Sequence, residues 1–135
     1  MWYYENKLYD EAPKDYAGFV YLITDLVTNK KYVGKKLFWN TRKLNPLKGK
    51  SRRRTQVVES NWKTYYGSNE ELQQLVETSH AERFEREILH LCEKKGIMGY
   101  LEAREQFDRN VLLSDEYYNN FIGCKIHSKH VAGLK

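Results

Sequence analysis

Gly18 to Lys36 read GFVYLITDLVTNKKYVGKK, and the other elements of the chain can be placed around this stretch. Phe19 to Thr24 is apolar, β-branched or aromatic throughout, the pattern of a strand buried on both faces. Asp25 to Lys30 carries the turn formers Asp, Thr and Asn. Lys31 to Lys35 then reads as the returning strand of an antiparallel hairpin with a longer loop. Tyr21 and Tyr32 leave adjacent strands and can meet on one face.

Downstream, Leu37 to Leu44 reads as a short helix or a continuing strand, and Pro46 stops a helix there. Residues 45–56 form a basic loop. Val57 to Tyr66 reads as helical, ended by Gly67. Ser68-Asn69-Glu70-Glu71 is a capping-box pattern that starts a helix over about 69–78. Arg83 to Cys92 reads as the third strand, and Lys94 to Asn110 as a helix with Ile97, Leu101 and Phe107 apolar. Residues 1–17 are expected to be an irregular, tyrosine-rich arm, and residues 111–135 a tail of loops and short extended pieces. The order β-β-α-α-β-α gives one α+β domain over 1–135, with a three-stranded antiparallel sheet flanked by helices.

Charge is concentrated in one segment. Lys35 to Lys63 holds ten Lys or Arg and one acid, Glu59, a net of +9, whereas the whole chain carries only +5. The remainder is therefore acidic, and the segment is the expected electrostatic footprint for nucleic acid. Lys48, Lys50, Arg52, Arg53, Arg54 and Lys63 are the expected phosphate contacts. No apolar run approaches the roughly 18 residues of a transmembrane helix, so no membrane partner is expected. The N-terminus lacks the basic start and apolar middle of a secretory signal. Cys92 and Cys124 do not make a disulfide framework. Together these point to a reducing, cytoplasmic setting. Cys124, His127 and His130 are spaced like half a zinc site, but no second ligand pair accompanies them.

Gly18-Phe19-Val20-Tyr21 followed by Tyr32-Val33-Gly34 resembles the paired motifs of the GIY-YIG nuclease family, with the tyrosines eleven residues apart. The later order is also similar, with a basic residue, a glutamate behind an apolar residue on a helix, and an asparagine after a tyrosine. WKTYYGS and YVGKK resemble stand-alone phage endonucleases of this family.

The resemblance implies a metal-dependent endonuclease cutting DNA phosphodiester bonds to leave a 3′-hydroxyl and a 5′-phosphate. The expected setting is a bacterial or phage-infected cell. It implies Glu102 as the ligand of Mg²⁺ (or Mn²⁺), a cation that accepts one carboxylate and several waters. Glu105, one turn later, competes for this role. Tyr21 is the expected base and Tyr32 a water- or phosphate-positioning partner. A free phenol has a pKa near ~10, so Lys35, Lys36 or the metal would have to lower it. Gly34 would let a phosphate approach the backbone. Arg42 stands where the family has its arginine, with Arg52 to Arg54 and Lys63 as alternatives. Asn119, or Asn120, would orient the metal's surroundings, and Tyr65 or Tyr66 would replace the group excluded by Pro46. A binding module of the same fold without catalysis is the competing function. Monomer and homodimer are both compatible with the sequence.

Overall fold

The computed structural model describes residues 1–135. Seven strands and two α-helices follow in order: β1 (Trp2–Tyr4), β2 (Lys7–Tyr9), β3 (Gly18–Asp25), β4 (Lys31–Leu37), β5 (Trp39–Leu44), β6 (Arg54–Glu59), α1 (Glu70–Thr78), β7 (Phe84–Cys92) and α2 (Lys95–Asp108). Short 3₁₀ turns occupy Trp62–Thr64, Ala81–Arg83 and Ser128–Leu134. The main sheet has five strands in the order β2-β1-β7-β3-β4, and β5 and β6 form a separate two-stranded ribbon.

The α+β class is as expected, with the three antiparallel strands β7, β3 and β4 making up one side of the sheet, out to its β4 edge. Two corrections concern its extent. The N-terminal arm is not irregular: β1 and β2 form a hairpin, and β1 adds to β7 in parallel, Trp2 beside Arg86. The stretch expected to be helical over 57–66 is strand β6 followed by a single 3₁₀ turn. Val57 and Val58 are β-branched and pair with Thr41 and Asn40, so cross-strand pairing wins over any helical period. The basic loop is correspondingly shorter, running between Leu44 and Arg54.

Strand β3 is buried on both faces, as its continuous apolar run requires. Phe19, Tyr21 and Ile23 join an aromatic core with Trp2, Phe38, Trp62 and Tyr118. Val20 and Leu22 point the other way and pack with Val33, Cys92, Met98 and Val111. That second layer is covered by α2, whose Met98 and Ala103 are buried and whose Phe107 is exposed. A register shift in the β3–β7 pairing between Val20 and Tyr21 leaves Leu89 as the extra residue.

Three polar devices tie these elements together. Asn69 caps α1, its Oδ1 accepting from Leu72 N at 3.0 Å, so the cap lies one residue after the serine of the motif. Asp25, fully buried at the end of β3, accepts two bonds from Arg83, at 2.8 and 2.7 Å, and one from the Tyr118 hydroxyl at 2.9 Å. These bonds hold its carboxyl well below the usual range, with Arg83 the main cause and burial opposing. Arg86 lies between the rings of Trp2 and Tyr66, 4.7 and 4.1 Å from their centroids, and donates to Tyr65 O at 2.8 Å.

Strand β4 is an edge strand, and an open edge invites pairing with other chains. The segment after α2 closes it. Lys31 N donates to Glu116 O and Tyr118 N donates to Lys31 O, at 2.8 and 2.7 Å. Asn119 continues the edge with its side chain: Oδ1 accepts from Val33 N at 3.0 Å and Nδ2 donates to Val33 O at 2.8 Å.

Candidate active site

The register of β3 and β4 sets the site. Tyr21 lies opposite Gly34 and Ile23 opposite Tyr32, so the two tyrosines share one face, diagonal to each other. Their ring centroids are 6.2 Å apart. A Cβ on Gly34 would overlap the Tyr21 hydroxyl and come within 2.6 Å of its Cζ. The bare glycine therefore lets the Tyr21 ring lie across β4. The space expected for a phosphate at Gly34 is taken by this phenol.

Successive β4 residues alternate between the two sides of the sheet. Lys36 falls on the aromatic side, its Nζ 4.2 Å from the Tyr65 ring centroid. Lys35 falls on the α2 side, its Nζ 3.9 Å from Glu102 Oε1. An open cleft of about 1230 Å³ wraps the edge of β4 and joins the sides; Tyr21, Tyr32, Gly34, Lys35, Glu102 and Asn119 all line it.

Burial raises the pKa of Glu102, and Lys35 partly offsets the effect. Its side chain retains 13% exposure, toward the cleft. Glu105 is engaged elsewhere: Oε1 meets His90 Nε2 and Oε2 accepts from Arg109 Nε, both at 2.9 Å. Of the two carboxylates, only Glu102 lines the cleft.

Tyr21 is 1% exposed, and its pKa is pushed well up by burial and by neighbouring Tyr65, Tyr32 and Glu102. Neither lysine reverses this, because Lys35 is drawn to Glu102 and Lys36 to the Tyr65 ring. Tyr32 is raised as well, by burial, although its hydrogen bond with Ser68 works in the opposite sense. That bond, Tyr32 Oη to Ser68 Oγ, is 3.0 Å long. On balance the protein's own groups hold both phenols above their ordinary pKa. Lys36 is lowered by burial.

Other expected residues lie outside the cleft. Arg42 and Arg54 are on the exposed β5–β6 ribbon, and Lys48, Lys50, Arg52 and Arg53 on the loop that joins its strands. Lys63 is on the following 3₁₀ turn, 5.9 Å from the Trp62 ring. Tyr66 packs against Phe84 and Arg86. Its neighbour Tyr65 is the one beside Tyr21, at a centroid distance of 6.1 Å. The cations lining the cleft are Lys30 and Lys35, and no arginine lines it. Both amide atoms of Asn119 bond Val33, so this residue builds the β4 edge, while Asn120 lines the cleft beside it.

Several cleft residues were not singled out from the sequence for this role. Ser68 hydrogen-bonds Tyr32 from the cleft wall, and the adjacent Gly67, outside the lining at φ +92°, is where an added Cβ would come within 3.4 Å of the Tyr21 hydroxyl. Gln106 Nε2 donates to Val33 O at 3.1 Å. The WKTYYGS stretch held the signal for the first two, but its glycine and serine also read as a helix stop and start.

No group of three or more His, Cys, Asp or Glu residues is placed to hold a metal, so Cys124, His127 and His130 do not form one. Glu102 meets a less demanding requirement. A cleft-facing carboxylate, with a single ionic partner beyond hydrogen-bonding distance and room for water, suits a hydrated Mg²⁺. No helix is long and apolar enough to cross a membrane.

A family model described as "Putative endonuclease segE, GIY-YIG domain" matches residues 2–122. That span takes in the β1–β2 hairpin, all of the cleft lining but Gly123, and the segment along β4. No curated protein and no solved structure matches the chain.

Proposed function

The chain belongs to the GIY-YIG nuclease family, and on that premise we propose that it is a Mg²⁺- (or Mn²⁺-) dependent DNA endonuclease whose reacting phosphate sits in the cleft at the β4 edge. The observation that carries this reading is convergence. Tyr21 and Tyr32 from the hairpin, Lys35 from its second strand and Glu102 from α2 share one open cleft.

In the proposed reaction, water attacks the scissile phosphorus, the bond to the 3′ leaving oxygen breaks, and the proton that the water sheds to solvent is matched by one that the leaving oxygen takes up. The ionised carboxylate of Glu102 would hold the cation. Bound there, the cation supplies charge neutralisation at the phosphate and the leaving oxygen. Lys35 Nζ brings a second positive charge to the same phosphate and keeps Glu102 ionised against its burial. The Tyr21 and Tyr32 hydroxyls, protonated at neutral pH, orient the attacking water and a phosphate oxygen by hydrogen bonding. Ser68 fixes the direction of the Tyr32 hydroxyl. In this reading Tyr21 positions the water, whereas the resemblance implies that it acts as the base. Lys35 stands where an arginine was expected, and Arg42 serves the DNA outside the cleft.

Supercoiled plasmid incubated with Mg²⁺ or with EDTA tests the proposal. Metal-dependent nicking is expected. Retarded but uncut plasmid under both conditions would overturn it in favour of a binding module.

A further inference from the structure

The β5–β6 ribbon is the part of the molecule that packing explains least. It pairs with nothing but itself, and most of its residues are exposed. An isolated two-stranded hairpin is marginal in water, and ordering it costs conformational entropy. Yet its root is held firmly. Ser60 N donates to Phe38 O at 2.8 Å, Ser60 Oγ donates to Leu37 O at 2.6 Å, and Trp39 Nε1 donates to Pro13 O at 3.1 Å. Phe38 and Trp62, on either side of the root, are fully buried.

The register sorts the ribbon's chemistry by face. Opposed residues of an antiparallel pair share a face, so Asn40, Arg42, Gln56 and Arg54 stand on one side. Arg, Asn and Gln are the side chains that bond bidentately to guanine and adenine edges in the major groove. From Asn40 to Val58 there are seven Lys or Arg residues and no acid. Each strand has six residues, about 20 Å at ~3.3 Å per residue. A two-stranded ribbon fits a major groove about 12 Å wide and 8.5 Å deep.

We infer that the β5–β6 ribbon enters the major groove of duplex DNA and reads base edges through Arg42, Gln56 and Asn40. The loop bases Lys48, Lys50, Arg52 and Arg53 hold the flanking phosphates. Phosphate contacts position without specifying, so the two sets of residues have separable effects. The inference rests on the DNA substrate of the proposed function, and it gives the nuclease domain a sequence preference of its own.

The test is selection from a library of random-sequence duplexes, in EDTA so that binding is read without cleavage. The native chain is expected to enrich a short motif. Arg42→Lys should keep the salt dependence of binding but lose preference at one base pair, because the fork is lost and the charge is kept. Gln56→Ala should flatten a different base pair. Each loss should be on the order of 5- to 150-fold in discrimination. Lys48→Ala with Lys50→Ala should weaken binding to all sequences alike and lower the salt slope by roughly 2. Absence of any enriched motif in the native chain, or an unchanged motif in both Arg42→Lys and Gln56→Ala, overturns the inference. Melting midpoints equal to that of the native chain would show that the variants are folded. Plasmid nicking with Mg²⁺ is read in parallel. A native chain that selects a motif but does not nick keeps this inference and loses the proposed function.

Discussion

Replacing Asn119 with Ala tests whether a side chain completes the sheet. In the native chain its amide bonds both main-chain groups of Val33, at 3.0 and 2.8 Å, and Val33 is fully buried. In the variant the Val33 N–H loses its edge partner, which costs about 1–3 kcal/mol for an orphaned buried donor. The carbonyl keeps Gln106 Nε2 at 3.1 Å and loses one of two donors, worth about another 0.5–1 kcal/mol. The sum, about 1.5–4 kcal/mol, is a large share of the roughly 5–15 kcal/mol that holds a domain folded. Urea unfolding should show it as a lower midpoint with an unchanged slope. Gln106→Leu should cost less, since Asn119 still serves the same carbonyl. Asn119→Asp keeps an acceptor for the N–H but sets a carboxylate against the Val33 carbonyl. It should be destabilised at pH 7 and partly recover in mild acid, where a protonated carboxyl can donate. Native stability in Asn119→Ala, with nicking lost, would refute the edge role and return Asn119 to the surroundings of the metal.

Glu102→Ala should abolish plasmid nicking while DNA retention on gels changes little; nicking at the native rate would remove Glu102 from the reaction. The raised pKa of Glu102 places the acid limb of nicking above the ordinary glutamate range, and Lys35→Met should shift that limb to still higher pH, because the lysine is what lowers it. Gly34→Ala should cost about 1–3 kcal/mol by overpacking against Tyr21 and should slow nicking more than it weakens binding, a split read from rates and retardation on one preparation. Asp25 has a depressed folded pKa, so its contribution to stability is complete above the unfolded value near ~3.9 and is lost as pH falls below it. Asp25→Asn should therefore lower the neutral-pH melting temperature and flatten the native chain's loss of stability in acid.

The sequence disclosed the site better than the sheet around it. The tyrosine spacing places both rings correctly because register and the two-residue strand period are local properties. The place of Glu102 on a helix was legible, but that it lines the cleft while Glu105 is engaged by His90 and Arg109 depends on partners no local pattern reveals. The first hairpin was not legible. Its turn has Glu5 and Asn6 at φ 51° and 65°, and a glutamate there gives no turn signal. Its strands have three residues each, and its partner Arg86 lies 84 positions away from Trp2. The family resemblance alone puts Arg42 at the reaction. The ribbon carries it away, because β5 turns out of the sheet after Phe38.

The strap along β4 also bears on how the molecule is made. Val33 and the Asn119 that caps it are 86 residues apart. During synthesis β4 emerges long before its cover, and contacts of such wide separation form late. A nascent chain ending before Glu116 would offer a bare strand edge to its neighbours, a route to aggregation rather than to partial activity. The cleft shares residues with that strap, so the same step that shields the edge completes the cleft wall, and under the proposed function a chain lacking it should not cut DNA.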